Sequence, residues 1–291
     1  MKEINIFCFG FGQVAKNFID KIISKKIKVN LVVTSREETQ EKKIGGLNYK
    51  SFKFNEKTFD KSLLIDLKKS DYVLISIAPV SGKDIVIENF KSLLEENKFK
   101  WITYLSATSV YGDHNGEWVN EESKTEPTSK NGIDRLNAEK SWMDLAKKNN
   151  LPLQIFRLSG IYSDKRNVLV RLQSGEARII NKKNHFFSRI HVEDIANILF
   201  RSLENFKPKE IYNISDDKPA SSAEVTLYGT KLLKINKPET IELSLIKNEM
   251  LKNFYKDSKK VSNKKMKNVF NYELKFPTYI EGLNYIRDNF I

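Results

Sequence analysis

A single cysteine, Cys8, occurs in 291 residues. It excludes an internal disulfide and a cysteine-based zinc cage, and it suits a reducing cytoplasm. Histidine is almost as scarce. His114, His185 and His191 are the only three, and no dedicated transition-metal site is expected from them. Long apolar runs are missing as well, the best being short stretches such as Tyr72–Ala78 (YVLISIA). None reaches the roughly 20 residues that a bilayer span needs, so no membrane partner is expected. The charged start MKEINIFCFG has no apolar signal core, and a cytoplasmic location is expected. Internal repeats, low-complexity tracts and Gly/Ser linkers are also lacking.

What is present builds a core. Apolar residues make up 40% and aromatics 11%, enough to exclude global disorder. Basic residues number 50 against 37 acidic, a formal charge of +13. Only nine of the basic residues are arginine, the type favoured for bidentate reading of bases and phosphates. A lysine excess strewn along the whole chain reads as solvated surface, and no specific nucleic-acid partner is expected. The densest run, Lys256–Lys267 (KDSKKVSNKKMK), reads as a flexible or helical surface segment. Trp101, Trp118 and Trp142 read as packing residues.

Short β-rich runs alternate with segments of helical period. Ile4–Phe9, Val29–Val33, Tyr72–Ile77, Trp101–Leu105, Leu153–Leu158 and Ile211–Ile214 read as strands. Helices are predicted from Gln13 onward, over Ile85–Leu94, Arg135–Leu145, Val192–Leu203, Ser222–Leu233 and Thr278–Asn289. This alternation predicts an α/β protein with a parallel sheet covered by helices on both sides. The last seventy or so residues break the rhythm and read as a small second lobe.

The first strand runs into Gly10-Phe11-Gly12-Gln13-Val14-Ala15, a G-x-G-x-x-A turn. Gly10 permits the tight turn, Gly12 leaves room for a pyrophosphate, and Ala15 lets helix and strand pack closely. Free N–H groups at the helix N-terminus then face the phosphates. The second strand ends in Thr34-Ser35-Arg36, with no carboxylate at its tip to accept from a ribose 2′-hydroxyl. Arg36, helped by Ser35 and Thr34, suits the 2′-phosphate of NADP, so NADP is expected in preference to NAD. Glu37 and Glu38 follow at once and could pair with Arg36. Ile77-Ala78-Pro79, with Ser76 before them, end the next strand and are placed along the adenine-ribose side of the cofactor.

The chain resembles the extended short-chain dehydrogenases/reductases, in the NAD-dependent epimerase/dehydratase group. Five blocks in order carry the resemblance: Gly10–Ala15, Tyr104–Asp113 (YLSATSVYGD), Phe156–Tyr162 (FRLSGIY), Arg189–Ala196 (RIHVEDIA) and Tyr212–Asp217 (YNISDD). It implies a Rossmann-type doubly wound parallel sheet with a small C-terminal substrate lobe. The expected division is 1–163 with 189–215 for the Rossmann domain, and 164–188 with 216–291 for the lobe. It also implies hydride chemistry on nucleotide sugars or other small carbonyl and alcohol substrates, with a homodimer left open.

The family's proton chemistry uses a Tyr, a Lys four positions later, and a Ser or Thr at the end of the fifth strand. This chain has Asn131, Arg135 and Ala107 at those positions, and no tyrosine lies between Tyr111 and Tyr162. Asn131 cannot exchange a proton, and Arg135 stays charged, although it can hold ribose hydroxyls or phosphate. The pattern resembles an atypical branch lacking the Tyr–Lys pair. Substitute proton-exchanging candidates are Tyr111, His114 and Tyr162. Ser106 is placed beside the cofactor, and Arg166 and Arg189 are candidate ligands for a substrate carboxylate or phosphate. His191 reads as a helix-start packing residue. The alternative is an inactive NADP(H)-binding sensor or scaffold.

Overall fold

In the computed structural model, the described residues are 3–180, 182, 184–246, 252 and 255–291. They fall into two compact units. The first comprises Met1–Ala107, Ile133–Arg157 and Ile195–Tyr212; the second comprises Thr108–Gly132, Leu158–Asp194 and Asn213–Ile291.

The first unit supplies nearly all of an eight-stranded sheet. Its strands are β1 (Glu3–Phe9), β2 (Lys28–Ser35), β3 (Gln40–Ile44), β4 (Leu47–Lys53), β5 (Tyr72–Ile75), β6 (Trp101–Ala107), β7 (Leu153–Leu158) and β8 (Glu210–Ile214). Their spatial order is β8-β7-β6-β5-β1-β2-β4-β3. The pairs β1–β2, β1–β5, β2–β4 and β5–β6 are parallel, and the β3–β4 hairpin is antiparallel. The strand order reverses between β1 and β5, which is the place where doubly wound sheets receive ligands. Phe9 stands in register with Ile75, and Cys8 with Val33, so the turn after β1 lies beside the ends of its two neighbours.

The strands read as unbroken apolar runs because the sheet is covered on both faces. Phe7, Phe9, Val73, Ile75, Ile102 and Tyr104 are buried against Phe90, Leu94 and Trp142 from helices α3 (Ile85–Glu96) and α4 (Lys130–Asn149). Helix α1 (Gln13–Ser24) buries Val14, Ala15, Phe18, Ile19 and Ile22, the face set by their i, i+4 spacing. The β3–β4 hairpin was not read from the sequence. Its signal is Gly45-Gly46, both at positive φ (50° and 81°), between a polar run ending in Ile44 and the alternating run Leu47–Lys53.

The second unit has its own core. Tyr162, at the end of the strand Gly160–Tyr162, packs with Leu169, Val225, Tyr279, Leu283 and Ile286 from the helices Val168–Gln173, Ser222–Leu233 and Tyr279–Phe290. The last helix opens on a capping box between Thr278 and Glu281. Among the described residues no helix is long and apolar enough to cross a membrane.

Candidate functional site

The turn after β1 is held from two sides. The Gly10 N–H donates to Thr34 Oγ1 at 2.9 Å. The Ser76 N–H donates to the Phe9 carbonyl at 2.9 Å, and Ser76 Oγ lies 3.0 Å from the carbonyls of both Phe9 and Gly10. Gly10 has φ +83°, and a Cβ there would stand 2.8 Å from Ser76 Oγ and 3.1 Å from Ile77 Cγ1. Conformation and space both require glycine at this position.

Gly12 is glycine for a different reason. Its φ of −82° is open to any residue, and nothing lies within 4 Å of the place a Cβ would take. The room beside it is vacant of protein. Helix α1 starts there with no side-chain cap and no acidic residue in its first turn. The first-turn N–H groups of a helix lack intrahelical acceptors and carry the positive end of the dipole. The open room and the helix end without a side-chain cap together suit an anion.

At the tip of β2, Ser35 is half-buried and accepts from Ser51 Oγ at 3.1 Å, while Arg36 is exposed. The two carboxylates that follow it are engaged elsewhere. Glu37 pairs with Lys42 of β3, and Glu38 pairs with Lys53 of β4. The Lys42 ammonium holds the Glu37 carboxyl below its ordinary pKa. The hairpin thus withdraws both acidic neighbours, and Arg36 has no carboxylate partner among the described residues.

Beyond β5, Ile77 and Pro79 are half-buried and Ala78 is exposed. At the end of β6 the Ser106 hydroxyl is buried without a hydrogen-bond partner, the signature of a missing ligand atom or water. Ala107 beside it is half-buried. Arg135 on α4 donates from Nη1 to the Leu105 carbonyl at 2.5 Å. Asp84, which caps α3, takes the Trp142 indole N–H at 2.9 Å and the N–H groups of Val86 and Ile87. Burial raises its pKa, against the pull of those donors and of Arg135. Asn131 is exposed in the first turn of α4. All the sequence-predicted cofactor residues, from Gly10 to Arg135, lie in the first unit. Open room at Gly12, uncapped N–H groups and an orphaned hydroxyl at Ser106 suit a dinucleotide.

The second unit holds the other candidates. Tyr111 is fully buried and donates from its hydroxyl to Asn213 Oδ1 at 2.7 Å. His114 is half-buried, with Nε2 lying 3.2 Å from each of the carbonyls of Tyr111 and Lys124. Two acceptors there assign the proton to Nε2, which leaves Nδ1 as the lone-pair nitrogen. Tyr162 is buried against the last helix. A Cβ on Gly282 would collide with its ring and hydroxyl, and burial drives the phenol pKa far up. Arg166 is exposed in a turn with Ser163. Arg189 donates from Nη1 to the carbonyls of Phe187 and Ala220, both at 2.9 Å. His191 accepts the Glu193 N–H at Nδ1, 3.3 Å, and packs 4.2 Å from the Phe276 ring; burial lowers its pKa to about 4. That is the helix-start packing role expected of it.

Two expectations are corrected. The lysine run Lys256–Lys267 is not a solvated surface segment: Ser258, Lys259, Val261, Asn263 and Met266 are buried. The run has tertiary partners that charge counting does not see. Lys259 donates to the Gly112 carbonyl at 2.7 Å and stands 3.7 Å from Asp257, and desolvation lowers its pKa. Trp118 is 55% exposed, on a two-residue strand paired with Lys260–Val261, and is not a core residue. Sequence reasoning also passed over Asp216, which is buried with one carboxyl oxygen unpartnered. It lies in the motif Tyr212–Asp217, and nothing in the string reveals burial.

Fold and glycine turn define a Rossmann-type α/β protein with an anion cradle at its switch point. The chain belongs to the NAD dependent epimerase/dehydratase family, whose model matches residues 10–215. Among solved structures, a functionally unknown conserved protein from Silicibacter pomeroyi DSS is 30% identical, with TM-score 0.87, over 98% of this chain and 99% of that one. UDP-N-acetylglucosamine 4-epimerase from Bacillus cereus is 17% identical, with TM-score 0.76, over 98% of each chain. UDP-glucuronic acid 4-epimerase from Bacillus cereus, solved in complex with NAD, is 15% identical, with TM-score 0.77, over 98% of each chain. No curated protein matches the chain by sequence.

Proposed function

We propose that the chain is a nicotinamide-nucleotide-dependent oxidoreductase of the epimerase/dehydratase type, preferring NADP, that acts on a nucleotide-sugar-like or other small carbonyl or alcohol substrate. The observation that carries this reading is the cradle at Gly12, open and uncapped, with an unpaired Arg36 at the tip of the next strand. Family membership and the NAD in the Bacillus cereus epimerase structure support the cofactor class.

Bound there, the cofactor supplies hydride exchange with a substrate carbon. The chain's own residues bind and orient. The first-turn N–H groups of α1, at Gln13, Val14 and Ala15, take the pyrophosphate, and Gly10 and Gly12 give it access. Arg36, with Ser35 and Thr34, holds the 2′-phosphate by charge-assisted hydrogen bonds. Ile77, Ala78 and Pro79 line the adenine-ribose side. Ser106 Oγ and the remaining N–H groups of Arg135 meet ribose hydroxyls. Asn131 moves no proton, and Tyr111 and Tyr162 are buried phenols. His114 is the remaining proton-exchanging candidate, with Nε2 on two carbonyls and Nδ1 as its lone-pair nitrogen.

Fluorescence titration with NADPH and NADH tests the reading. NADPH is expected to bind more tightly. Arg36→Ala should weaken NADPH roughly 10- to 100-fold, the worth of a charge-assisted pair, and NADH much less. Equal losses overturn the 2′-phosphate role, and no response to either nucleotide overturns the function.

A further inference from the structure

We infer that Ser51 is a specificity-determining residue for the cofactor: its hydroxyl commits the Ser35 hydroxyl to donate outward, toward the 2′-phosphate of NADP. Ser51 acts through Ser35 and is a positioning residue. The inference deepens the proposed function and rests on it for the presence of a 2′-phosphate at the tip of β2.

The register of the sheet brings the two serines together. Strand β4 runs parallel to β2, with Val33 opposite Ser51 and Ser35 opposite Lys53. On its other side Ser51 stands opposite Gln40 of β3. Strand pairing on both sides therefore holds the Ser51 backbone. Ser35 is fixed as well, because its carbonyl accepts the Phe54 N–H at 2.8 Å. Between the strands, Ser51 Oγ donates to Ser35 Oγ at 3.1 Å. The two hydroxyls differ in setting. Ser51 is 1% exposed, whereas Ser35 is half-buried and followed at the tip by the exposed Arg36.

That difference fixes the direction of the bond. A hydroxyl has one proton and two lone pairs. A buried proton without an acceptor is costly. Ser35 Oγ is the acceptor of the Ser51 hydroxyl, which makes no other hydrogen bond among the described residues. Reversing the bond would strand the Ser51 proton in the interior. The Ser35 proton meets no such constraint, because its residue reaches solvent, so it turns away from Ser51 and outward.

The consequence separates the two nucleotides. A 2′-hydroxyl both donates and accepts, so it pairs with Ser35 whichever way that hydroxyl turns. A 2′-phosphate offers acceptor oxygens and needs Ser35 as a donor. A hydroxyl that already accepts one bond donates a stronger one. Without Ser51 the Ser35 hydroxyl turns freely, and part of its population faces away from the phosphate.

Fluorescence titration of the full chain with NADPH and NADH tests this on the parent, Ser51→Ala, Ser35→Ala and the double variant. Ser35→Ala should weaken NADPH about tenfold, the worth of a hydrogen bond to a charged group. Ser51→Ala should weaken NADPH about three- to tenfold and NADH less than about twofold. The double variant should bind NADPH no more weakly than Ser35→Ala, because Ser51 then has nothing to orient. Ser51→Cys keeps the shape with only a weak S–H donor, should lose NADPH affinity in the same direction, and carries the test if the alanine variant misfolds. In variants that melt as the parent does, equal losses of NADPH and NADH, unchanged NADPH affinity, or single losses that multiply in the double variant would each overturn the inference. A parent that prefers NADPH, with a Ser51→Ala variant that keeps the whole preference, sinks the inference alone. A parent that binds both nucleotides equally sinks the 2′-phosphate reading, and the inference with it.

Discussion

The two compact units differ in how completely their buried carboxylates are matched. In the first, Arg157 and Glu139 are both almost fully buried and meet in a two-pronged contact, Nε to Oε1 at 3.1 Å and Nη2 to Oε2 at 2.8 Å. Asp84 likewise has three N–H donors. In the second, Asp216, Asp257 and His191 each keep a buried polar atom without a partner, and Arg189 keeps a free guanidinium edge. Buried charge that is fully matched holds a fold in one arrangement; buried charge left unmatched stores a capacity to bind. The comparison assigns stability to the matched carboxylates Glu139 and Asp84, and binding capacity to polar groups left open, Ser106 in the first unit and Asp216 in the second.

The sharpest way to break the comparison is to orphan the matched pair. Glu139→Ala should cost about 3–5 kcal/mol in denaturant unfolding, because it leaves a buried guanidinium alone. A loss below about 1 kcal/mol would show that water reaches Arg157 and that the first unit is no better matched than the second.

The second test uses pH. The folded pKa of Asp216 is raised above the unfolded value, so its contribution to stability is complete below about pH 4 and declines as pH rises toward about 8. His191 has the opposite sign. Its folded pKa of about 4 lies below the unfolded 6.5, so its contribution is complete above pH 6.5 and is lost as pH falls toward 4. Asp216→Asn should therefore gain on the parent by about 4 kcal/mol between pH 5 and pH 9, read as the difference of two unfolding curves. A difference that stays constant with pH would mean that Asp216 is already ionised in the folded protein.

The smallest expected effect concerns the exposed ion pairs of the hairpin. Lys42→Ala and Lys53→Ala should leave stability nearly unchanged, since such surface pairs are worth little. They should nonetheless lower NADPH affinity a few-fold by returning Glu37 and Glu38 to Arg36. Unchanged affinity would detach the hairpin from nucleotide choice.

Much of the first unit was legible in the chain. Periodicity located β1, α1, β2, β5, α3, β6, α4, β7 and β8 to within a few residues, because each buries one continuous face or run. The glycine turn was legible because backbone geometry alone demands small residues there. The β3–β4 hairpin escaped because its edge strand Gln40–Ile44 is polar up to its last residue, and the Gly45-Gly46 pair is what marks it. In the second unit the candidates Arg189 and Tyr162 were legible residue by residue, but the burial of Asp216 was not. A carboxylate in a string of polar residues carries no mark of the medium around it.

The amino-acid sequence by itself determined the sheet, the helices that cover it and the glycine cradle, since these follow from local period and from steric demands within a few residues. Tertiary structure alone decided which charges are matched. Whether Arg36 is neutralised by Glu37 and Glu38, whether the lysines of 256–267 face water, and whether Asp216 holds its proton all depend on groups brought together from distant segments. Desolvation and Coulomb interaction act through space, and the order of residues along a chain does not record distance across it.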